Sequence, residues 1–313
     1  MGTNSVALSS EDPRVYRFFL RYINKNISNN VPDNIDVFSN GTRMMGQFVV
    51  DVLMQCLSRD VNVIRSKIHE MENECLTSII PESHFFWLKD APRATYWLWW
   101  QIAHSCYGDN FPESVHLTYS ALANRYKYIS DSHLPKNHQE RYDLLIRSFD
   151  DACFNADNTI QYLTFLNVVQ NLWRKNRNER LNAKWLKPDD TEVCWWAYDN
   201  LIIKIKSKCR SEVLEIPKPL TSEEAYNSFY VTLDLCELNK IDIKNILDSV
   251  SKTWGQKKYR KSISQKRLAQ KLDDEHMKML EYLARYYQLD NIGVIKILIS
   301  DRMKGITTAE RNR

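Results

Sequence analysis

Apolar residues in this chain recur at intervals of three and four almost everywhere, and at an interval of two in a single short run. That contrast limits the fold more than any other feature, because the first period marks the buried face of a helix and the second that of a strand. Val15, Phe18, Phe19, Tyr22 and Ile23 make one helical stripe, and Met44, Met45, Phe48, Val49, Val52, Leu53, Cys56 and Leu57 a wider one. Further helices are expected near 61–76, 92–105, 113–127, 138–155 and 158–174. The last of these carries Ile160, Leu163, Leu166, Val168, Val169 and Trp173. Only seven glycines and nine prolines interrupt 313 residues, which removes Gly-rich phosphate loops and favours helix.

Start signals support the same division. Ser9 to Pro13 reads as a helix start, with Asp12 three residues after Ser9 and proline early in the first turn. Residues 24–34 are mostly polar and read as a loop, and the polar stretch 174–182 ends a layer of the fold. Pro188, Asp189 and Asp190 precede a long apolar run. Thr221 and Glu224 form a capping box for a helix through about Leu238, and Ile243, Ile246, Leu247 and Val250 mark a further short helix.

Several classes of function drop out. No run approaches the roughly eighteen apolar residues of a membrane span, so no membrane partner is expected. The opening MGTNSVALSSEDP lacks a basic segment followed by an apolar run and does not read as a secretory signal. Cys56, Cys75, Cys106, Cys153, Cys194, Cys209 and Cys236 are odd in number and contain no CxxC pair. Disulfides are therefore not expected, most thiols should be buried, and a reducing cytoplasm suits the chain. Tyr96, Trp97, Trp99 and Trp100, like Trp195 and Trp196, could stack bases, but read better as filling a large helical core. His104 with Cys106, and His133 with His138, have no companions at zinc spacing. Without a nucleophile elbow, zinc-protease, Walker or Rossmann pattern, neither an enzyme nor a cofactor is expected.

Charge is unevenly spread. Residues 252–313 hold 15 Lys and Arg against 7 Asp and Glu, while the rest of the chain holds 28 against 32. Within 252–271 there are eight basic residues and no acidic one. A mildly acidic body with a basic end is the footprint of a polyanion binder.

That basic end contains the period-two run. Residues 1–254 read as a helical body and 255–265 as a basic linker; 266–305 follow as a small domain, with 306–313 a mobile tail. In Lys266–Leu272, Leu268, Gln270 and Leu272 fall on one side of a strand and Arg267, Ala269 and Lys271 on the other. Asp273 and Asp274 end it and cap a helix through Met277, Leu280, Leu283, Ala284 and Tyr287. Asp290 caps a second helix through Ile292, Val294, Ile295, Leu298, Ile299 and Met303, ending before Gly305. A lone strand leaves its backbone groups unpaired. The simplest partner is the same strand of a second copy about a two-fold axis, which predicts a homodimer.

The run KRLAQKLDDEHMKMLEYLARYYQLDNIGVIKILISDR resembles a ribbon-helix-helix DNA-binding domain, over about an eighth of the chain. The chain as a whole also resembles the AcaB-type activators of conjugative plasmids, a likeness that no quotable motif of the body carries. The resemblance implies a mainly α protein whose paired strands enter the major groove of double-stranded DNA. Arg267, Ala269 and Lys271 would then meet base edges, and the backbone amides of Asn291, Ile292 and Gly293 a phosphate. Leu268, Gln270, Leu272, Leu280, Leu283, Ile295 and Leu298 would form the dimer core. Three departures stand out: Gln270 replaces an inward apolar residue, Ala269 a polar reader, and Gln288 the glycine between the helices. The turn is thus expected to close without its usual left-handed residue.

From the residues themselves, Arg and Lys supply donors for guanine, and Lys257, Lys258, Arg260, Lys261 and Lys266 can neutralise phosphates. The leading expectation is a bacterial, plasmid- or nucleoid-associated transcriptional regulator, with RNA polymerase or another regulator as further partner. The alternatives are a DNA-processing accessory of relaxosome or partition type, and an antitoxin-like protein-binding module.

Overall fold

The computed structural model describes residues 8, 10–29, 31, 41–104, 111–130, 134–156, 159–176, 183–208, 218–236, 238–269 and 272–311. Among these every regular element is helical, so the mainly α expectation holds. The chain divides into two compact units, Met1–Leu238 and Asn239–Arg313.

The first unit begins with α1 (Pro13–Asn26), α2 (Thr42–Cys56) and α3 (Val61–Ser78). Asp12 caps α1, its carboxylate accepting from the Arg14 amide at 2.8 Å. Ser9, expected to cap, lies outside the described residues. Tyr16, Phe19, Ile23, Val49, Leu53, Ile64 and Met71 close the core that these three helices share. A short 3-10 turn leads into α4 (Phe86–Lys89) and α5 (Pro92–Ala103), and another into α6 (His116–Ser130). The helices α7 (His138–Ala156), α8 (Ile160–Asn176), α9 (Thr191–Lys208) and α10 (Ser222–Leu235) complete the unit. Its larger core gathers Phe85, Leu88, Trp97, Trp99, Trp100, Phe149, Phe165 and Val231.

The aromatic cluster of α5 is core, as expected: Tyr96, Trp97, Trp99 and Trp100 are all buried. Trp195 and Trp196 are half-buried on α9, where Trp196 meets Trp185 edge-on. His104 stacks on Trp100 at 3.6 Å, and His138 bonds to the Lys89 carbonyl at 2.7 Å, so both have structural partners. His133 and Cys106 lie outside the described residues. Cys75, Cys153, Cys194 and Cys236 are buried and Cys56 is exposed. Burial pushes the Cys75 and Cys153 thiols up to about 12, which leaves them inert.

Periodicity gave no hint of how much charge this unit buries. Arg14 of α1 grips Asp150 of α7 through two bonds of 2.8 and 2.6 Å and donates to the Ile80 carbonyl at 2.7 Å. Burial alone would lower the Arg14 pKa, but the bonds to Asp150 outweigh it and raise it. Arg21 meets Asp151 at 2.8 Å. Arg141 of α7 pairs with Glu224 of α10 through both guanidinium ends, with its guanidinium carbon 3.9 Å from the Tyr96 ring centroid. Thr221 caps α10 by accepting from the Glu224 amide at 3.2 Å. The Glu224 side chain, which a capping box would turn back to the cap, is held by Arg141 instead.

The second unit consists of α11 (Lys240–Ala269), α12 (Asp274–Tyr287) and α13 (Asn291–Arg311). Three expectations change here. The short helix at 243–250 continues through residues 255–265, so the expected linker is helical. Gly255 costs only about 1 kcal/mol against Ala in a helix, and the Lys, Gln and Arg that follow are good helix formers. Residues 266–269, assigned to the strand, form the last turn of the same helix. A strand at the ribbon needs a second chain; without one, continuing the helix gives the amides of 266–269 their partners one turn back. Gln270 and Lys271 lie outside the described residues. Finally, α13 does not stop at Gly305 but runs to Arg311, so the expected tail is helical that far.

Candidate nucleic-acid interface

The basic stretch sits on the distal half of α11. In its first half Ile243, Ile246, Val250 and Trp254 recur at helical spacing and are buried. From residue 255 to 267 no side chain is buried. Lys252, Lys258, Arg260, Lys266 and Arg267 are exposed, while Lys257 and Lys261 are half-buried. The ammonium groups of Lys257 and Lys258 lie 5.1 and 5.4 Å from the Trp254 ring centroid. Cation–π attraction therefore holds two of the expected phosphate contacts against the helix. At about 100° per residue, the seven cations fall on several sides of the helix rather than along one stripe.

The hairpin of α12 and α13 follows the sequence reading closely. Asp273 caps α12, its carboxylate accepting from the His276 amide at 2.9 Å and lying 2.7 Å from the His276 ring. Those two bonds hold the Asp273 carboxyl below its ordinary pKa. Asp290 caps α13, accepting from the Gly293 amide at 2.8 Å.

The turn between them corrects one expectation. Gln288 itself adopts the left-handed conformation, at φ 54° and ψ 39°. Its amide donates to the Arg285 carbonyl at 3.3 Å, and the Leu289 amide to that of Ala284 at 3.0 Å. This is the Schellman pair that usually has glycine at the left-handed position. The helix end makes the motif with a residue that must accept some strain.

Among the described side chains of α12 and α13, Leu280 and Val294 are the buried ones. Of the remaining expected dimer-core residues, Leu272, Leu283 and Ile295 are half-buried and Leu298 is exposed. Gln270, like Lys271, lies outside the described residues, as do the side chains of Leu268 and Ala269. The exposed apolar residues fall into two stripes at helical spacing. Met279, Tyr282 and Tyr286 run along α12, and Leu298, Ile299 and Met303 along α13. Ile295, Leu298, Ile299, Arg302 and Met303 line a shallow apolar groove of about 320 Å³. Sequence reading named the inward face of α12 and missed the Met279–Tyr282–Tyr286 stripe, whose i, i+3, i+7 spacing was the available signal.

Among the expected phosphate contacts of α13, Asn291, Ile292 and Gly293 are all half-buried. The Gly293 amide is already engaged by Asp290. A Cβ at Gly293 would approach the Asp290 carboxylate to 3.2 Å and the Leu289 side chain to 3.3 Å, so the backbone there is closely covered. Among the described residues no cluster of His, Cys, Asp and Glu could hold a metal, and no helix is long and apolar enough to cross a membrane.

No protein-family model, curated protein or solved structure matches the chain.

Proposed function

We propose that this protein is a dimeric, sequence-specific DNA-binding regulator whose C-terminal segment reads the major groove with a two-stranded ribbon. One observation carries the reading. Between residues 272 and 304 only Leu280 and Val294 bury apolar side chains, while Met279, Tyr282, Tyr286, Tyr287, Leu289, Leu298, Ile299 and Met303 are exposed. Two buried side chains are worth roughly 1.5–3 kcal/mol each, far less than the entropy lost by ordering about thirty residues. A second copy of the same hairpin supplies the missing cover, and the resemblance to the ribbon-helix-helix family names the arrangement. The stretch immediately before it carries eight cations and no acid, which suits a polyanion and not a protein of mixed charge.

In this reading Arg267, Ala269 and Lys271 of each chain face the bases and Lys257, Lys258, Arg260, Lys261 and Lys266 the phosphates. The body is then an oligomerisation, effector or polymerase-contact module. The test first footprints the protein on the DNA upstream of its own coding sequence to define an operator, then measures affinity for that operator and for scrambled DNA at several salt concentrations. Arg267→Ala and Lys271→Ala should each cost about 1–3 kcal/mol per lost base contact on operator alone. Replacing Lys257, Lys258, Arg260 and Lys261 should weaken both DNAs equally and flatten the salt dependence by about one unit of slope per lost contact. Equal weakening of both DNAs by Arg267→Ala and Lys271→Ala overturns the sequence-specific reading. Protection of a transfer origin or partition locus instead of a promoter would move the protein to the accessory class.

A further inference from the structure

The end of α11 covers the first four residues of the period-two run, 266–269, and helix and strand cannot both exist there at once. On a strand, positions two apart share a face; on a helix they stand about 200° apart around the axis. A helix through Ala269 therefore disperses the very face that the alternation of Arg267, Ala269 and Lys271 would create. We infer that residues 266–269 are helical in the single chain and convert to extended ribbon when two copies dimerise. The DNA-reading face then exists only in the dimer. This rests on the dimeric DNA-binding reading above and adds a conformational step to it.

Three features of the chain make the conversion feasible. First, Gln265, Lys266 and Arg267 are all exposed, so the last turn of α11 is held mainly by backbone bonds and local propensity. Ser262, Ile263 and Ser264 have only middling helix propensity, and Gly255 interrupts the same half. Second, Asp273 closes off the hairpin on its own. It is extended, at φ −70° and ψ 169°, and holds the His276 amide, so α12 keeps its cap whatever the preceding residues do. Third, compensation is at hand: the Met279–Tyr282–Tyr286 and Leu298–Ile299–Met303 stripes are exposed, and association of two copies would bury them. Strand pairing between chains restores the backbone bonds that the helix gives up.

The test uses the full chain with ¹³C-labelled alanine, the Ala269 signals being assigned by Ala269→Ser. Carbon shifts distinguish helix from strand at that residue. Leu298→Glu, at a position 44% exposed in the single chain, supplies a monomer and leaves the buried Leu280 and Val294 in place. Tyr286→Glu, 72% exposed on the other helix, supplies a second. Sedimentation and operator binding are recorded on the same samples. The expected result is helical shifts in both monomeric variants and strand shifts in the wild-type dimer, free or on DNA. Helical shifts in a wild-type chain that dimerises and binds operator specifically overturn the conversion and leave the DNA-binding reading intact. Strand shifts in the monomers overturn it too, because no helix would then precede the ribbon. A wild-type chain that neither dimerises nor binds operator overturns the underlying reading, and the conversion with it.

Discussion

In the first unit charge is buried together with its partner, and in the second apolar surface is left exposed without one. Arg14 and Asp150, or Arg141 and Glu224, are brought together from distant parts of the sequence and closed off from water. Such pairs are costly to bury singly, and here each buried carboxylate meets a guanidinium of the same unit, which gives the first unit a self-sufficiency in charge. Between residues 272 and 304 the hairpin buries two apolar side chains and exposes eight large ones. The difference bears on where the proposed second copy would sit: the exposed apolar stripes of α12 and α13 offer it surface to cover.

The largest effect should come from breaking the finished side of this contrast. Glu224→Ala leaves the Arg141 guanidinium buried beside Tyr96 and Trp99 with its countercharge gone. Removing one member of a buried pair typically costs about 3–5 kcal/mol. Thermal unfolding should shift accordingly, while the protein that remains folded binds DNA as before. An unshifted transition would mean that the pair is open to solvent, and the self-sufficiency drawn from it would go.

Next in size is the unfinished side. Leu298→Glu sets a charge on the α13 stripe, where burial of each large apolar side chain is worth about 1.5–3 kcal/mol. Sedimentation should show a monomer and operator binding should be lost, with thermal unfolding of the body unchanged. A dimer that persists would place the contact elsewhere and sever the link between the stripes and association.

How far the sequence reveals this contrast depends on the range of each interaction. Helix positions, the Trp-rich core of α5 and the caps at Asp273, Asp290 and Thr221 rest on neighbours within a turn or two, and all were legible. The ion pairs were not, because nothing in a local window says that residue 14 will meet residue 150. The end of α11 misled for the opposite reason. Lys266–Leu272 has a strand's alternation and a helix's composition, and in the single chain residues 266–269 are helical. Gln288 shows a third limit: the Schellman bonds fix the backbone first, and the residue there follows whatever its preference.

That residue gives a smaller, cleaner perturbation. Glycine carries no penalty in the left-handed region, whereas other residues pay roughly 1–2 kcal/mol. Gln288→Gly should therefore stabilise the hairpin by about 1 kcal/mol, slowing amide exchange at Leu289 and Val294 and leaving the body untouched. Destabilisation would indicate that the Gln288 side chain is needed at the turn and that the strain is only apparent.

The smallest expected effect concerns whether the N-terminus of α13 meets DNA at all. A helix N-terminus favours an anion, and the resemblance places a phosphate at the amides of Asn291, Ile292 and Gly293. Asp290 already supplies a carboxylate there, accepting from Gly293 at 2.8 Å. Two anions cannot share those amides without repulsion, so a phosphate at this end would be held weakly and mainly by the free Asn291 and Ile292 groups. Asp290→Asn keeps a cap of nearly equal strength and removes the charge. If the N-terminus touches the backbone, DNA affinity should rise by about 0.3–1 kcal/mol for operator and scrambled sequence alike, most clearly at low salt. The unfolding temperature should fall slightly or stay level, since the carboxylate also favours the helix dipole. An unchanged affinity at every salt concentration would assign Asp290 to capping alone, and would leave the exposed cations of α11 as the phosphate contacts.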